Sequence, residues 1–202
     1  METRPWDQWD RPGVADEINR IWNTSGSENA YREKNASLAK PHLKSGDALL
    51  EVGCGTGLMY ALFRAVADVR YVGVDTSDEM LKIARKAFPE GDFRNGDGYQ
   101  LEFEDKSFDA VVSFDVLLHL PDIVPFIREM VRVAKRLVIF TIRIGPKTYQ
   151  DQEAILKNNF LYNLHSLDDA QAKIKEASGE TTYEMIDLCH DWSTLWIGAV
   201  PG

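Results

Sequence analysis

An apolar run closes on three glycines at alternate positions in Leu49-Leu50-Glu51-Val52-Gly53-Cys54-Gly55-Thr56-Gly57, and a second apolar run ends in Asp75, twenty-four residues after Glu51. A strand-to-helix turn without side chains lets main chain come close to a ligand, so a side chain at Gly53 or Gly55 would stand where that ligand sits. An acid at the tip of the neighbouring strand can accept both hydroxyls of a ribose. Together the two signals point to an adenosyl cofactor. Alone, the loop serves a dinucleotide equally well, and Asp75 alone is an ordinary loop carboxylate. Spacing separates the readings: the dinucleotide fingerprint places its third glycine at position 58, which is Leu58, and no lysine follows the loop as a triphosphate site requires.

Two further stretches carry chemistry. In Asn95-Gly96-Asp97-Gly98-Tyr99 the carboxylate of Asp97 can accept from an exocyclic adenine amine, with the next backbone N–H groups on the ring nitrogen and an apolar side chain over its face. Gly-Asp-Gly is also a common turn. His119 follows the apolar stretch Phe108 to Phe114 and titrates near neutrality. It is either a general base for an oxygen acceptor or a ring packed on the next helix. An amine or thiol acceptor needs no such base. The cluster of two or three acids that a divalent metal would require is not visible.

Strands and helices must place these groups. Ala48 to Val52, Val69 to Val74, Asp92 to Arg94, Phe108 to Phe114 and Arg136 to Ile142 read as buried parallel strands. Leu58, Leu62, Phe63 and Val66 recur at helical spacing, so the glycine loop opens a helix whose free N–H groups point back at the ligand. Thr76-Ser77-Asp78-Glu79 reads as a Thr-x-x-Glu capping box, and Asp122 caps a helix that tolerates Pro125 in its first turn. Lys147 to Ala177 reads as helical with a break near Leu164-His165-Ser166, ended by Gly179. Thr182 to Cys189 and Thr194 to Val200, joined through His190-Asp191-Trp192-Ser193, form an antiparallel pair. The alternation specifies an α/β fold: a Rossmann-like, doubly wound seven-stranded sheet with helices on both faces.

With these four motifs in order, the chain resembles the class I S-adenosylmethionine-dependent methyltransferases, most closely the small single-domain members of the type 11 kind. The resemblance runs from about Tyr31 to Val200. It implies S-adenosyl-L-methionine as cofactor, with the loop at Glu51, Gly53, Cys54 and Gly55 around the methionine part. It further implies Asp75 on the ribose, Asp97 with Gly98 and Tyr99 on the adenine, and Ser113 and Phe114 at the methionine end. Tyr31, Thr76 and Met80 complete the implied cofactor contacts. The implied strand order is 3-2-1-4-5-7-6 with the last strand antiparallel. Relatives often carry a proline where this chain has Gln100-Leu101-Glu102-Phe103, which leaves the path of that loop open.

Composition fits. With 202 residues, 44% of them hydrophobic, the chain suits one domain with a substantial core: residues 41–202 for the cofactor, and residues 1–40 as a helical lid containing Trp6, Trp9, Trp22 and Tyr31. Its formal charge of −9 opposes binding to DNA or RNA. The start of the chain reads as having no signal region, and no apolar stretch is long enough to span a bilayer, so a cytoplasmic protein is expected. Two cysteines make neither a disulfide framework nor a metal cluster. The expectation is methyl transfer to a small-molecule acceptor. The alternatives are a cofactor-binding partner or sensor without transfer activity, and transfer to a protein or RNA. The sequence leaves the oligomeric state and the acceptor atom open.

Overall fold

The computed structural model describes residues 7–11, 13–155, 158–190 and 192–201. Trp6, Asp191 and the side chain of His190, which figured in the sequence reading, lie outside that description.

Seven strands form one sheet: β1 (Asp47–Val52), β2 (Val69–Asp75), β3 (Asp92–Asn95), β4 (Phe108–Ser113), β5 (Ala134–Arg143), β8 (Thr182–His190) and β9 (Ser193–Ala199), in the order β3-β2-β1-β4-β5-β9-β8. The first five are parallel, and β9 runs antiparallel to both β5 and β8. This is the expected order, with β9 as the reversed strand. Because both faces are covered, β1 and β4 are apolar without alternation. Leu50, Val52, Val111 and Val138 face a core shared with Phe126, Ile127 and Met130 of α5 (Ile123–Val133) and Ile174 of α6 (Leu167–Ser178). Leu49, Ala110 and Ile139 face the opposite core. There they meet Ala36 of α2 (Gly26–Ala39), Phe63 of α3 (Leu58–Val66) and Leu81 of α4 (Asp78–Ala87).

Capping explains where the helices begin. Asp122 accepts from Val124 N at 3.0 Å and Ser166 from Asp169 N at 3.2 Å, as the sequence indicates. The expected Thr76 box is corrected by one residue, since Ser77 is the N-cap of α4 and accepts from Met80 N at 3.1 Å. Thr76 is thereby left beside the cavity described below.

The larger correction lies after β5. The half of the expected helix before Leu164 is a β-hairpin, β6 (Tyr149–Ile155) with β7 (Asn158–Leu164), forming a second, two-stranded sheet. Its central residues are good helix formers, but tertiary contacts override that preference. Phe160 is fully buried, and Asn163 donates through Nδ2 to the carbonyl of Leu120. The hairpin thereby lies over the C-terminal end of the sheet. From the other side the same end is approached by a 3-10 turn at Asp7–Asp10, by α1 (Val14–Thr24) and by α2.

Candidate functional site

The C-terminal ends of β3, β2, β1, β4 and β5 open into one cavity of about 370 Å³, within the range of small-molecule sites. Along its floor lie Asp97 beyond β3, Asp75 ending β2, the glycine loop after β1, Asp115 after β4 and Arg143 ending β5. Of the expected site residues, Glu51, Gly53, Cys54, Gly55, Asp75, Thr76, Met80, Asp97, Gly98, Tyr99, Phe114 and His119 line it. Tyr31 and Ser113 do not. Ser113 Oγ donates to the carbonyl of Val52 at 2.8 Å and ties β4 to β1. Tyr31 donates its O–H to Asp115 Oδ1 at 3.0 Å, so it reaches the cavity only through that carboxylate.

The glycine loop is shaped differently from the expectation. Gly53, Gly55 and Gly57 take φ of +81°, +52° and +81°, a backbone region that favours glycine. A Cβ on Gly53 would meet Val116 Cγ2 at 2.2 Å, so that glycine serves packing within the protein rather than room for a ligand. A Cβ on Gly55 would point toward the Trp22 ring at 3.5 Å, across the cavity. The loop N–H groups are engaged internally: Gly53 and Cys54 donate to the Val74 carbonyl, and Gly57 donates to that of Cys54. Gly55 N donates to Asp75 Oδ2 at 2.8 Å, while Ser77 N donates to Asp75 Oδ1 at 2.9 Å. Asp75 thus clips the loop to β2 and still has lone pairs for hydroxyl donors. Burial pushes its carboxyl above the ordinary range, opposed by those backbone donors.

Three observations test whether a nucleoside with two cationic centres fits here. Asp75 and Asp97 supply acceptors on adjacent strand ends, where ribose and amine donors would meet them. Thr56 Oγ1 lines the same cavity, buried and without a hydrogen-bond partner among the described residues. The walls at Met80, Phe114 and Tyr99 are apolar or aromatic. The group fits.

Glu51 is almost fully buried and accepts from the Tyr71 hydroxyl. Burial pushes its pKa up to about 8 from 4.5, partly opposed by that hydrogen bond. The folded state therefore holds a proton there that the unfolded chain releases, and stability falls as pH rises from 4.5 toward 8. Below 6.5 the half-buried His119 acts in the opposite sense, so the decline should be visible between 6.5 and 8, amounting to roughly 2 kcal/mol. Denaturant midpoints measured across that window should fall for the wild type and stay level for Glu51→Gln. A wild-type profile as flat as the variant's would refute the protonated carboxyl.

At the other end, His119 is enclosed by Trp9 at 4.9 Å edge-on and Phe160 at 6.3 Å between ring centroids. Its Nδ1 lies 2.7 Å from the Leu161 carbonyl, which can only accept, so Nδ1 carries the hydrogen and Nε2 keeps a lone pair. Burial, reinforced by the charge of Arg143, pushes its pKa down to about 4, against the carbonyl bond. Asp115, with φ of +55°, donates its N–H to Thr141 Oγ1 at 2.8 Å. Burial pushes its carboxyl up while Arg143 pulls it down. Asp115, Arg143 and Tyr162 were absent from the expected site. The signal available was position: each follows or ends an element at the C-terminal edge of the sheet or lies in the covering hairpin.

Comparison with known proteins follows this geometry. The family model described as "Methyltransferase domain" matches residues 50–142. That span runs from within β1 to the penultimate residue of β5, and so takes in the floor of the cavity except Arg143.

Over residues 50–142 the chain is similar to the methyltransferase-domain family, and this match and the curated methyltransferases it resembles support a class I S-adenosylmethionine-dependent methyltransferase.

Its cofactor is accordingly S-adenosyl-L-methionine. The methyltransferase is 29% identical over 195 residues to an uncharacterized methyltransferase of Schizosaccharomyces pombe, covering 87% of this chain and 67% of that one. It is 26% identical over 191 residues to the 27-O-demethylrifamycin SV methyltransferase of Amycolatopsis mediterranei, covering 82% and 70%. The fold is shared with magnesium protoporphyrin IX methyltransferase from Synechocystis with bound S-adenosylhomocysteine. That likeness has a TM-score of 0.69 at 18% identity, over 96% of this chain and 97% of that one. Among the described residues of the methyltransferase, no helix is long and apolar enough to cross a membrane, and no group of three His, Cys, Asp or Glu is placed to hold a metal.

Proposed function

We propose that the methyltransferase methylates a small-molecule acceptor held over the ends of β4 and β5, with His119 as the general base. The observation that carries this reading is the continuity of the cavity. One cavity is lined both by the acids that suit a nucleoside, Asp75 and Asp97, and by Leu118, His119, Arg143 and Tyr162, with Trp9 and Trp22 also in its lining. A concave cavity of about 370 Å³ suits a small molecule better than a polymer chain, which would need an open groove.

In this reading Asp75 takes the ribose hydroxyls, Asp97 the adenine amine, and the walls at Met80, Phe114 and Tyr99 the apolar faces. When bound, the cofactor supplies an electrophilic methyl on a positively charged sulfur. The chain's own work is positional. The floor and the aromatic cover hold an acceptor in line, which can supply much of the rate of a displacement. His119 Nε2 takes the proton from an acceptor hydroxyl, while Nδ1–H on the Leu161 carbonyl fixes the tautomer.

The segment from Asp7 to Ala39 acts as a lid. Asp10 Oδ1 accepts from Glu79 N at 3.0 Å and from Ser77 Oγ at 3.1 Å, which seats the 3-10 turn on α4 and brings Trp9 against Phe160 at 4.2 Å. Two covers of different sequence origin therefore meet above His119 and exclude water. The test is formation of S-adenosylhomocysteine against panels of small hydroxylated and carboxylated molecules, peptides and RNA. Turnover is expected with the first panel. Turnover confined to peptides or RNA would overturn the small-molecule reading.

A further inference from the structure

The lid and the cofactor end of the cavity share one continuous chain of hydrogen bonds. Asp10, the last residue of the 3-10 turn, accepts at Oδ1 from Glu79 N at 3.0 Å. The Ser77 hydroxyl donates toward Asp10 Oδ1 and toward the Trp9 carbonyl, both at 3.1 Å. Ser77 in turn donates its N–H to Asp75 Oδ1 at 2.9 Å, and the other oxygen of Asp75 accepts from Gly55 N at 2.8 Å. The chain thus runs from Asp10 in the lid through Ser77 to Asp75 and Gly55, which line the cavity.

Helix physics gives the outer link its weight. The N–H groups in the first turn of α4 have no partner inside the helix. Ser77 caps that of Met80, while that of Glu79 is taken by a carboxylate from a segment 69 residues away. A negative charge is favourable at that end of a helix. The lid turn therefore completes the cap of α4, whose Met80 lines the cavity. Val14 and Ile18 of α1 pack with Met80 and Phe160 around the same joint.

We infer that Asp10 is a positioning residue of the cofactor site: by latching the lid turn onto α4 it holds Ser77 and Asp75 in place for the nucleoside, and a bound nucleoside in turn holds the lid shut. This rests on the functional reading above, which assigns Asp75 to the ribose and Asp7 to Ala39 to the lid.

Two features carry the coupling. Mechanically, Trp9 and Trp22 of the lid line the same cavity as Asp75, so the latch sets a wall and an acceptor of one site together. Electrostatically, burial pushes the Asp75 carboxyl up, and the charge of Asp10 adds to that push. Closing the turn brings a second carboxylate toward the first. Hydroxyl donors on Asp75 offset that repulsion, so occupancy favours closure. Coupling of this kind is reciprocal: whatever closure adds to cofactor affinity, the cofactor adds to closure.

The test uses the full chain and S-adenosylhomocysteine, with two readouts. In the wild type, hydrogen exchange at the Glu79 amide, whose partner is the latch itself, should slow about fivefold or more when the ligand saturates the protein. By stopped-flow tryptophan fluorescence, Asp10→Ala should release the ligand about tenfold faster than the wild type, as loss of a capping acceptor implies. Asp10→Asn keeps an acceptor oxygen for Glu79 N and should stay within about threefold of the wild type.

A role confined to capping α4 would lower the unfolding midpoint of Asp10→Ala and leave ligand release within about twofold, which would overturn the inference. So would exchange at Glu79 that the ligand does not change. The wild-type exchange measurement stands even if Asp10→Ala does not fold. Failure of S-adenosylhomocysteine to bind the wild type would instead refute the functional reading on which the inference rests.

Discussion

Asp75→Asn is expected to weaken binding of S-adenosylhomocysteine about a hundredfold and to lower stability by about 1 to 3 kcal/mol. The side chain has two duties. Each of its oxygens accepts a backbone N–H, from Gly55 on one side and from Ser77 on the other. An amide replaces one of those acceptors by a donor, so one of the two N–H groups must lose its partner, and the glycine loop loosens from β2. The same oxygens are the acceptors proposed for the ribose hydroxyls, and loss of two charge-assisted hydrogen bonds accounts for the affinity change. Calorimetry and thermal or denaturant unfolding separate the duties. Lower stability with unchanged affinity would mean that Asp75 is a loop clip alone and that the ribose lies elsewhere. Loss of both is the expected result.

The parts of the site legible in the sequence are those where the residue type and the element boundary coincide. Glycines at 53, 55 and 57 need their left-handed backbone, and Asp75 and Asp97 stand where a parallel strand hands over to the next element. All seven strands of the main sheet were legible for a related reason. Burial on both faces imposes short apolar runs, and the antiparallel pair at the end follows from a tight link.

The hairpin of β6 and β7 was hidden, because residues 151–155 favour a helix locally and contacts distant in sequence hold the hairpin as strands, such as that of Asn163 with the Leu120 carbonyl. Arg143 was hidden in another way, as an interruption of an apolar run. Its meaning comes from where β5 stops. Ser113 is the converse case. The resemblance implied Ser113 at the methionine end, whereas its hydroxyl donates to the Val52 carbonyl.

His119→Gln is expected to reduce turnover of an oxygen acceptor roughly a hundredfold or more while leaving affinity for S-adenosylhomocysteine unchanged. The pH dependence gives the stricter test. An ordinary histidine would shed its proton near 6.5, and a rate that needs the neutral ring would fall below that value. Here burial holds the pKa down to about 4, so the acidic limb of kcat/KM should be shifted downward, with turnover still level at pH 5.5.

The same shift carries a stability signature with a definite sign. Between 4 and 6.5 the unfolded chain binds a proton at His119 and the folded chain does not, so acidification through that window costs stability. The cost should reach about 3 kcal/mol and be absent in His119→Gln. Glu51 opposes it above 4.5, which makes the Glu51→Gln background the cleanest place to see it. A variant that loses the acid-linked instability yet turns over within a few-fold of wild type would establish His119 as a neutral packing ring that seats Trp9, and would remove it as the base. Loss of both together assigns the proton transfer to Nε2. The hydrogen bond from Nδ1 to the Leu161 carbonyl then becomes what keeps that nitrogen available.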